Sequence, residues 1–153
     1  MAFAAWVRPH LVAMARLAAR LGPDADRDDI VQEALVRAWR RWTTFDPGRG
    51  SAQAWLLAIV ADQGRRHRLR RLGRARVQID RAEHGALDAD RDIDLESALQ
   101  KLPPRERLAV DLYYFVGADV ATTAAAMQCA PGTVKATLHH ARERLRKLLE
   151  EQP

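Results

Sequence analysis

A single cysteine, Cys129, is the whole thiol complement of this chain of 153 residues. That excludes an internal disulfide and any multi-cysteine metal site. Glycine and proline are scarce, at 8 and 7 residues, so neither a collagen-like nor a low-complexity composition fits. No apolar run approaches the roughly 18 residues of a membrane span, since residues 3–21 are broken by Arg8, Pro9, Arg16 and Arg20. The expectation is a soluble, cytoplasmic protein. Neither a phosphate-cradling glycine loop nor a paired-carboxylate or nucleophile-base constellation is evident, so no enzyme, catalytic residue or cofactor is expected. Cys129, His139 and His140 come nearest to a metal set. Adjacent histidines on a helix point about 100° apart, however, and the spacing matches no ligand pattern, so no metal is expected.

What is present is helical in character: 48% hydrophobic and 29% charged residues, with a formal net charge of +5. Residues 1–76 hold 15 Lys and Arg against 7 Asp and Glu, residues 77–97 hold 2 against 7, and residues 98–153 hold 8 against 6. A basic, acidic, weakly basic order suits two domains with a polyanionic partner and an acidic linker between them.

Apolar positions recur at helical spacing from Phe3 to Leu21, where Gly22-Pro23 ends the pattern. A second helix runs to about Trp42, with Ile30, Val31, Ala34, Leu35, Ala38, Trp39 and Trp42 as its apolar stripe. Turn formers fill residues 43–50, and Ser51 is placed to cap a third helix, predicted over residues 52–72. The first half of that helix is apolar, while its second half carries Arg65, Arg66, His67, Arg68, Arg70 and Arg71, which can neutralise phosphates. Residues 73–92 lose aromatic and β-branched side chains and gain acids, which reads as a flexible linker. A short helix over residues 93–101 follows, then one over 105–116 with Leu108, Leu112 and Phe115 buried.

From about Asp119 to Leu149 a short helix, a turn and a longer helix form a helix-turn-helix. Val134, Leu138, Ala141, Leu145 and Leu148 make a narrow apolar stripe on the last helix, and Lys135, His139, Arg142 and Arg146 lie on one flank of it. Early side chains of such a helix reach base edges in the major groove, which makes Thr133, Lys135, Ala136, His139 and His140 candidate readers. The fold class is therefore all-α: two small helical domains joined by an acidic linker, the second a helix-turn-helix (winged-helix-like) domain.

The run LPPRERLAVDLYYFVGADVATTAAAMQCAPGTVKATLHHARERLRKLLE resembles the C-terminal promoter-binding domain of bacterial sigma factors, in particular the extracytoplasmic-function class. The runs DDIVQEALVRAWRRW and TFDPGRGSAQAWLLAIV are similar to the conserved N-terminal domain of the same factors. The resemblance implies residues 1–72 as the polymerase-binding and promoter-melting domain, 73–92 as linker, and 93–153 as the domain that recognises the minus-thirty-five element. Its implied partners are core RNA polymerase, promoter DNA and an anti-sigma factor, with no membrane insertion.

By the same resemblance Asp28, Asp29, Gln32, Glu33, Arg37 and Arg40 bind the polymerase clamp. Phe45 and Arg49 belong to the loop that holds a flipped minus-ten base. Trp55, Asp62, Arg65, Arg66, His67, Arg68 and Arg70 line the non-template strand, and Arg142 joins the readers of the minus-thirty-five element. Four departures stand out: Asp62 where an amide is usual, Thr122-Thr123 for a Glu-Ile pair, Gln128 for a turn glycine, and Thr137 for a frequent arginine. Two alternative functions fit parts of this pattern. One is a sigma-like decoy for an anti-sigma factor, and the other an autonomous helix-turn-helix regulator.

Overall fold

The computed structural model describes residues 2–78 and 93–151. Where one helix is predicted from Phe3 to Leu21, the chain instead forms α1 (Phe3–Val7), a 3₁₀ turn (Arg8–His10) and α2 (Leu11–Leu21). Pro9 explains the break: it has no N–H to give to the preceding turn. α3 (Asp24–Arg41) starts after Pro23, which is extended at ψ 157°. Ile30, Ala34 and Ala38 of its inner face are fully buried. Trp39, expected in that buried stripe, is 63% exposed instead.

The Ser51 hydroxyl accepts the Ala54 N–H at 3.1 Å, as expected of an N-cap, and α4 (Ala52–Gln78) follows. α4 passes through Gly73, so residues 73–78 are helix and not linker. Glycine inside a helix costs about 1 kcal/mol relative to alanine, which weakens a helix without ending it. The remainder of the expected linker, residues 79–92, lies outside the described residues. α2 and α4 cross closely at Gly64, where an added Cβ would come within 2.6 Å of the Leu21 side chain. Met14, Leu17, Leu56, Leu57 and Val60 fill the core made by this crossing.

α5 (Ile93–Gln100) and α6 (Pro104–Val110) open the second bundle. α6 continues as a π-helical turn over Asp111–Val116, which ends at Gly117 in the left-handed region, φ 82°. Phe115, expected to be buried, is 40% exposed. Asp119 caps α7 (Val120–Met127) by accepting the Thr122 N–H at 2.7 Å, a bond that holds its carboxyl below the ordinary range. The three-residue turn 128–130 leads to α8 (Pro131–Glu150), completing the helix-turn-helix. Gln128 stands at φ 57°, ψ 47°, the left-handed cap a glycine would fill more easily, at a cost of about 1 kcal/mol. Among the described residues there is no strand. The two bundles abut: α2 packs on the π turn and α4 on α7, and buried apolar side chains run through both.

Candidate nucleic-acid interface

Asp28, Asp29, Gln32 and Arg40 are exposed on the outer side of α3. Val36 and Trp39 are exposed among them, at 46% and 63%. Residues 32, 36, 39 and 40 share one side of a helix, so an apolar centre is surrounded by polar groups. Glu33 and Arg37 instead reach α4. The Glu33 carboxylate meets His67 Nε2 at 3.0 Å and Arg70 at 3.5 Å, and Arg37 lies 3.7 Å from Asp62. Of the six polar residues expected on that face four stay outward beside Val36, and the face gains Trp39. Exposure of a tryptophan is the signal that sequence periodicity missed.

The loop over residues 43–51 is bonded at its start, where the Thr44 hydroxyl donates to the Arg41 carbonyl at 2.6 Å, and within it, where Asp46 accepts the Gly48 N–H at 2.9 Å; Gly50 stands at φ 147°. Phe45 packs between Trp6 and Trp55, at centroid distances of 5.3 and 5.5 Å, while the Arg49 side chain is 90% exposed. A space of about 870 Å³ opens beside Phe45, Arg49 and Trp55. Along α4 the basic residues separate into two sets. Asp62 holds Arg65 and Arg66, the latter at 3.1 Å, and with Arg65 and Arg68 it lines a space that Arg37 and Arg41 from the C-terminal part of α3 also border. His67, Arg70 and Arg71 turn towards α3, where Glu33 and Asp26 receive them. His67 has only 11% of its side chain exposed, so the structure ties it to Glu33 and does not present it to a strand.

On α8, Thr133, Lys135, Ala136, His139, His140 and Arg142 are all exposed. Val134, Leu138 and Ala141 are buried against the bundle, as the register requires. The Arg142 guanidinium donates to the Tyr114 hydroxyl at 3.0 Å, and the two imidazoles lie 5.9 Å apart, tilted by 73°. Arg144 pairs with Glu106 of α6, and Arg146, on the same flank as Lys135 and His139, pairs with Glu143.

One group of charges at the junction was not legible in the sequence. Arg20 of α2 donates to Asp111 at 3.0 Å and to Glu96 at 2.8 Å, and its guanidinium carbon sits 3.8 Å above the Phe115 ring. Burial pushes the Asp111 carboxyl up from its ordinary 3.8 to about 6, against the pull of the Arg20 hydrogen bond. Burial opposes the Arg20 charge too, but the hydrogen bonds to Glu96 and Asp111 prevail and raise its pKa. Asp111 Oδ2 is buried and has no hydrogen-bond partner among the described residues. A carboxylate one turn from Leu108 and beside Leu112, within an apolar register, was the available clue, because a buried acid requires a partner.

The chain was compared with known proteins. Residues 6–75 match the family model "Sigma-70 region 2" and residues 92–145 match "Sigma-70, region 4". The RNA polymerase sigma-E factor of Streptomyces coelicolor is 35% identical over 96% of this chain and 85% of that protein. The ECF RNA polymerase sigma factor SigL of Mycobacterium tuberculosis is 32% identical over 93% of this chain and 85% of that protein. Among solved structures, the sigma factor RpoE of Bartonella quintana, crystallised with the anti-sigma factor NepR, superposes with a TM-score of 0.71. Its sequence is 29% identical, over 99% of this chain and 98% of that one. CnrH, in complex with the cytosolic domain of CnrY, also gives 0.71 at 30% identity, over 99% of this chain and 89% of that one. With two regions in the right order and relatives matched along nearly their whole length, the chain belongs to the extracytoplasmic-function class of RNA polymerase sigma factors.

Proposed function

We propose a residue-level division of labour for this non-enzymatic initiation factor, which directs polymerase to promoters. The outer side of α3 docks core polymerase through Val36 and Trp39, with Asp28, Asp29, Gln32 and Arg40 as the polar rim. An exposed tryptophan within a polar ring has the composition of an interface hot spot. Phe45, Arg49 and Trp55 receive an unstacked minus-ten base, while Arg65, Arg66 and Arg68 follow the phosphates of the displaced strand. Thr133, Lys135, Ala136, His139, His140 and Arg142 read the minus-thirty-five element in the major groove. His67 and Arg70 act on this reading as supports for α3, together with Glu33.

Residues 1–72, continued by the helix to 78, form the polymerase-binding and melting domain, and residues 93–153 the upstream anchor. The working compartment is the cytoplasm, and among the described residues no helix is long and apolar enough to cross a membrane. Solved relatives bind NepR and CnrY, which supports an anti-sigma factor as a further partner.

The observation that carries the reading is the Val36 and Trp39 exposure, because an autonomous helix-turn-helix protein has no use for it. Run-off transcription with purified core polymerase tests it. Wild type is expected to start RNA at a cognate promoter, and Trp39→Ala to weaken core binding by about 2 kcal/mol, roughly thirtyfold. Unchanged core binding in the variant would refute the docking site. A chain that binds an anti-sigma factor but never starts RNA would be a decoy.

A further inference from the structure

Where the two bundles meet, a space of about 510 Å³ opens between α4 and α6. Small-molecule sites commonly fall between about 300 and 1,000 Å³, so it is large enough to hold a ligand. Six arginines line it, Arg37, Arg41, Arg65, Arg68, Arg105 and Arg107, against two carboxylates, Asp62 and Asp111. Both acids are already engaged. Asp62 holds Arg65 and Arg66, and Asp111 accepts from Arg20, which is not part of the lining.

Four of the six, Arg41 and Arg68 from the first bundle and Arg105 and Arg107 from the second, have no carboxylate partner among the described residues. Neutral acceptors aim the last two: Arg105 donates to the Met127 carbonyl at 3.3 Å, and Arg107 to Gln100 Oε1 at 3.0 Å. A guanidinium has five N–H donors, so one such bond leaves most of the fork for another acceptor. Arg107 is held below its ordinary pKa, first by burial and then by the charge of Arg68, with Arg20 and Arg71 acting in the same direction and Asp111 against them. Because a guanidinium does not give up its proton in a protein, crowding of this kind is relieved by an anion and not by titration.

The number of cations decides which anion. One phosphate monoester carries about −1.5 to −2 charges, which matches roughly half of four unpaired guanidinium groups. Two or three linked phosphates match them all, and arginine forks suit phosphate oxygens in pairs. We infer that the seam between the bundles is a binding site for a small polyphosphate, held by Arg41 and Arg68 on one side and Arg105 and Arg107 on the other. The inference goes beyond the promoter contacts proposed above, which use neither Arg105 nor Arg107. A ligand gripped from both sides favours the folded, two-bundle arrangement that grips it.

Calorimetric titration of the full chain with inorganic tripolyphosphate, in phosphate-free buffer, tests the site. One tripolyphosphate per chain is expected, bound about tenfold or more tighter than inorganic phosphate, and Arg105→Gln and Arg107→Gln should each weaken it by roughly tenfold. Arg107→Lys, which keeps the charge and loses the fork, should fall between wild type and Arg107→Gln. Arg8→Gln removes the same charge at an exposed residue that lines neither space and should bind as wild type does. Thermal melts give a second reading: tripolyphosphate at about 100 times its Kd should raise the wild-type Tm by roughly 5–10 °C, with little rise in the Arg105→Gln, Arg107→Gln double variant at the same concentration. ATP binding more tightly than tripolyphosphate would identify a nucleotide as the occupant, and equal binding a bare phosphate chain. Affinity that is the same for phosphate and tripolyphosphate, or that falls equally in Arg8→Gln, would overturn the site and leave only diffuse charge. A short mixed-sequence single-stranded DNA is the remaining arm. If Arg105→Gln and Arg107→Gln weaken it as much as they weaken tripolyphosphate, the two arginines belong to the strand path and the small-ligand site is refuted; strand binding unchanged in both variants keeps the reading of α4, whatever tripolyphosphate does.

Discussion

The two helices to which we assign DNA contacts, α4 and α8, carry their charge in different ways. On α4 four arginines are already held by acids: Asp62 takes Arg65 and Arg66, Glu33 takes Arg70 and Asp26 takes Arg71, whereas Arg68 has no carboxylate partner among the described residues. On α8 the residues Thr133, Lys135, Ala136, His139 and His140 are exposed with no ion pair among the described residues, and the acid pairs fall further along the helix at Glu143 and on α6 at Glu106. Exposed ion pairs are worth only about 0–1 kcal/mol each, so phosphates can displace the carboxylates at small cost. On the proposed assignment, α4 would exchange acids for phosphates on binding, whereas Lys135 of α8 would meet DNA with no acid to displace.

The largest expected effect concerns the junction that holds the two helices in one frame. Asp111 has a pKa of about 6 in the folded chain and an ordinary 3.8 when released to water. Between those values the folded chain alone keeps the proton, so stability falls as pH rises from about 4 to about 6 and is level above that. The shift corresponds to a change on the order of 3 kcal/mol. Denaturant titrations across this window should show the fall in wild type, and Asp111→Asn should lose that part of the slope. Equal slopes in the two proteins would rule the carboxyl out.

Next in size is Gly64→Ala, which breaks the comparison on one side only. Its Cβ would meet Leu21 at 2.6 Å, and overpacking of this kind costs about 1–3 kcal/mol. Thermal melts should show the loss in the first bundle, with α8 binding duplex DNA as before.

Lys135→Ala sharpens the comparison from the other side. Losing a base reader should cost about 1–3 kcal/mol in promoter binding and relax the preference at one base position. Uniform weakening across sequences, with the salt slope lowered by about one unit, would instead make Lys135 a phosphate contact. The smallest effect is expected from Asp62→Asn, which releases Arg65 and Arg66 and should tighten single-strand binding at low salt by a few-fold, as loss of a surface pair permits. Glu143→Gln, the matching change on α8, should leave DNA binding where it was.

Much of this arrangement could be read from the residues, for reasons that are local. The Ser51 cap, the left-handed Gln128 and the Val134, Leu138, Ala141 stripe depend on neighbours in sequence, and all three stand as read. The resemblance to a known family supplied the class, which the matches to regions 2 and 4 bear out. Readings failed where a partner lies far along the chain or where periodicity is blind to sidedness. Trp39 fits an apolar stripe as well as Trp42 does, yet only Trp42 finds Phe3 and Trp6 to pack against. Arg20 and Asp111 are separated by 91 positions, and nothing near either announces the other. Gly73 looked like a stop, but only Pro or a capping geometry ends a helix firmly. The six-way polar face expected on α3 divided because a helix with α4 on one side has two polar flanks, and sequence spacing alone did not say which flank α4 covers.

The aromatic residues have a use of their own. All four tryptophans, Trp6, Trp39, Trp42 and Trp55, lie in the first bundle, and both tyrosines, Tyr113 and Tyr114, lie in the second. Indole emission therefore belongs to one half of the molecule and phenol absorbance to the other. The chain is its own two-colour probe, in which loss of structure in either half, or polymerase settling over Trp39, registers in a separate channel without any attached dye.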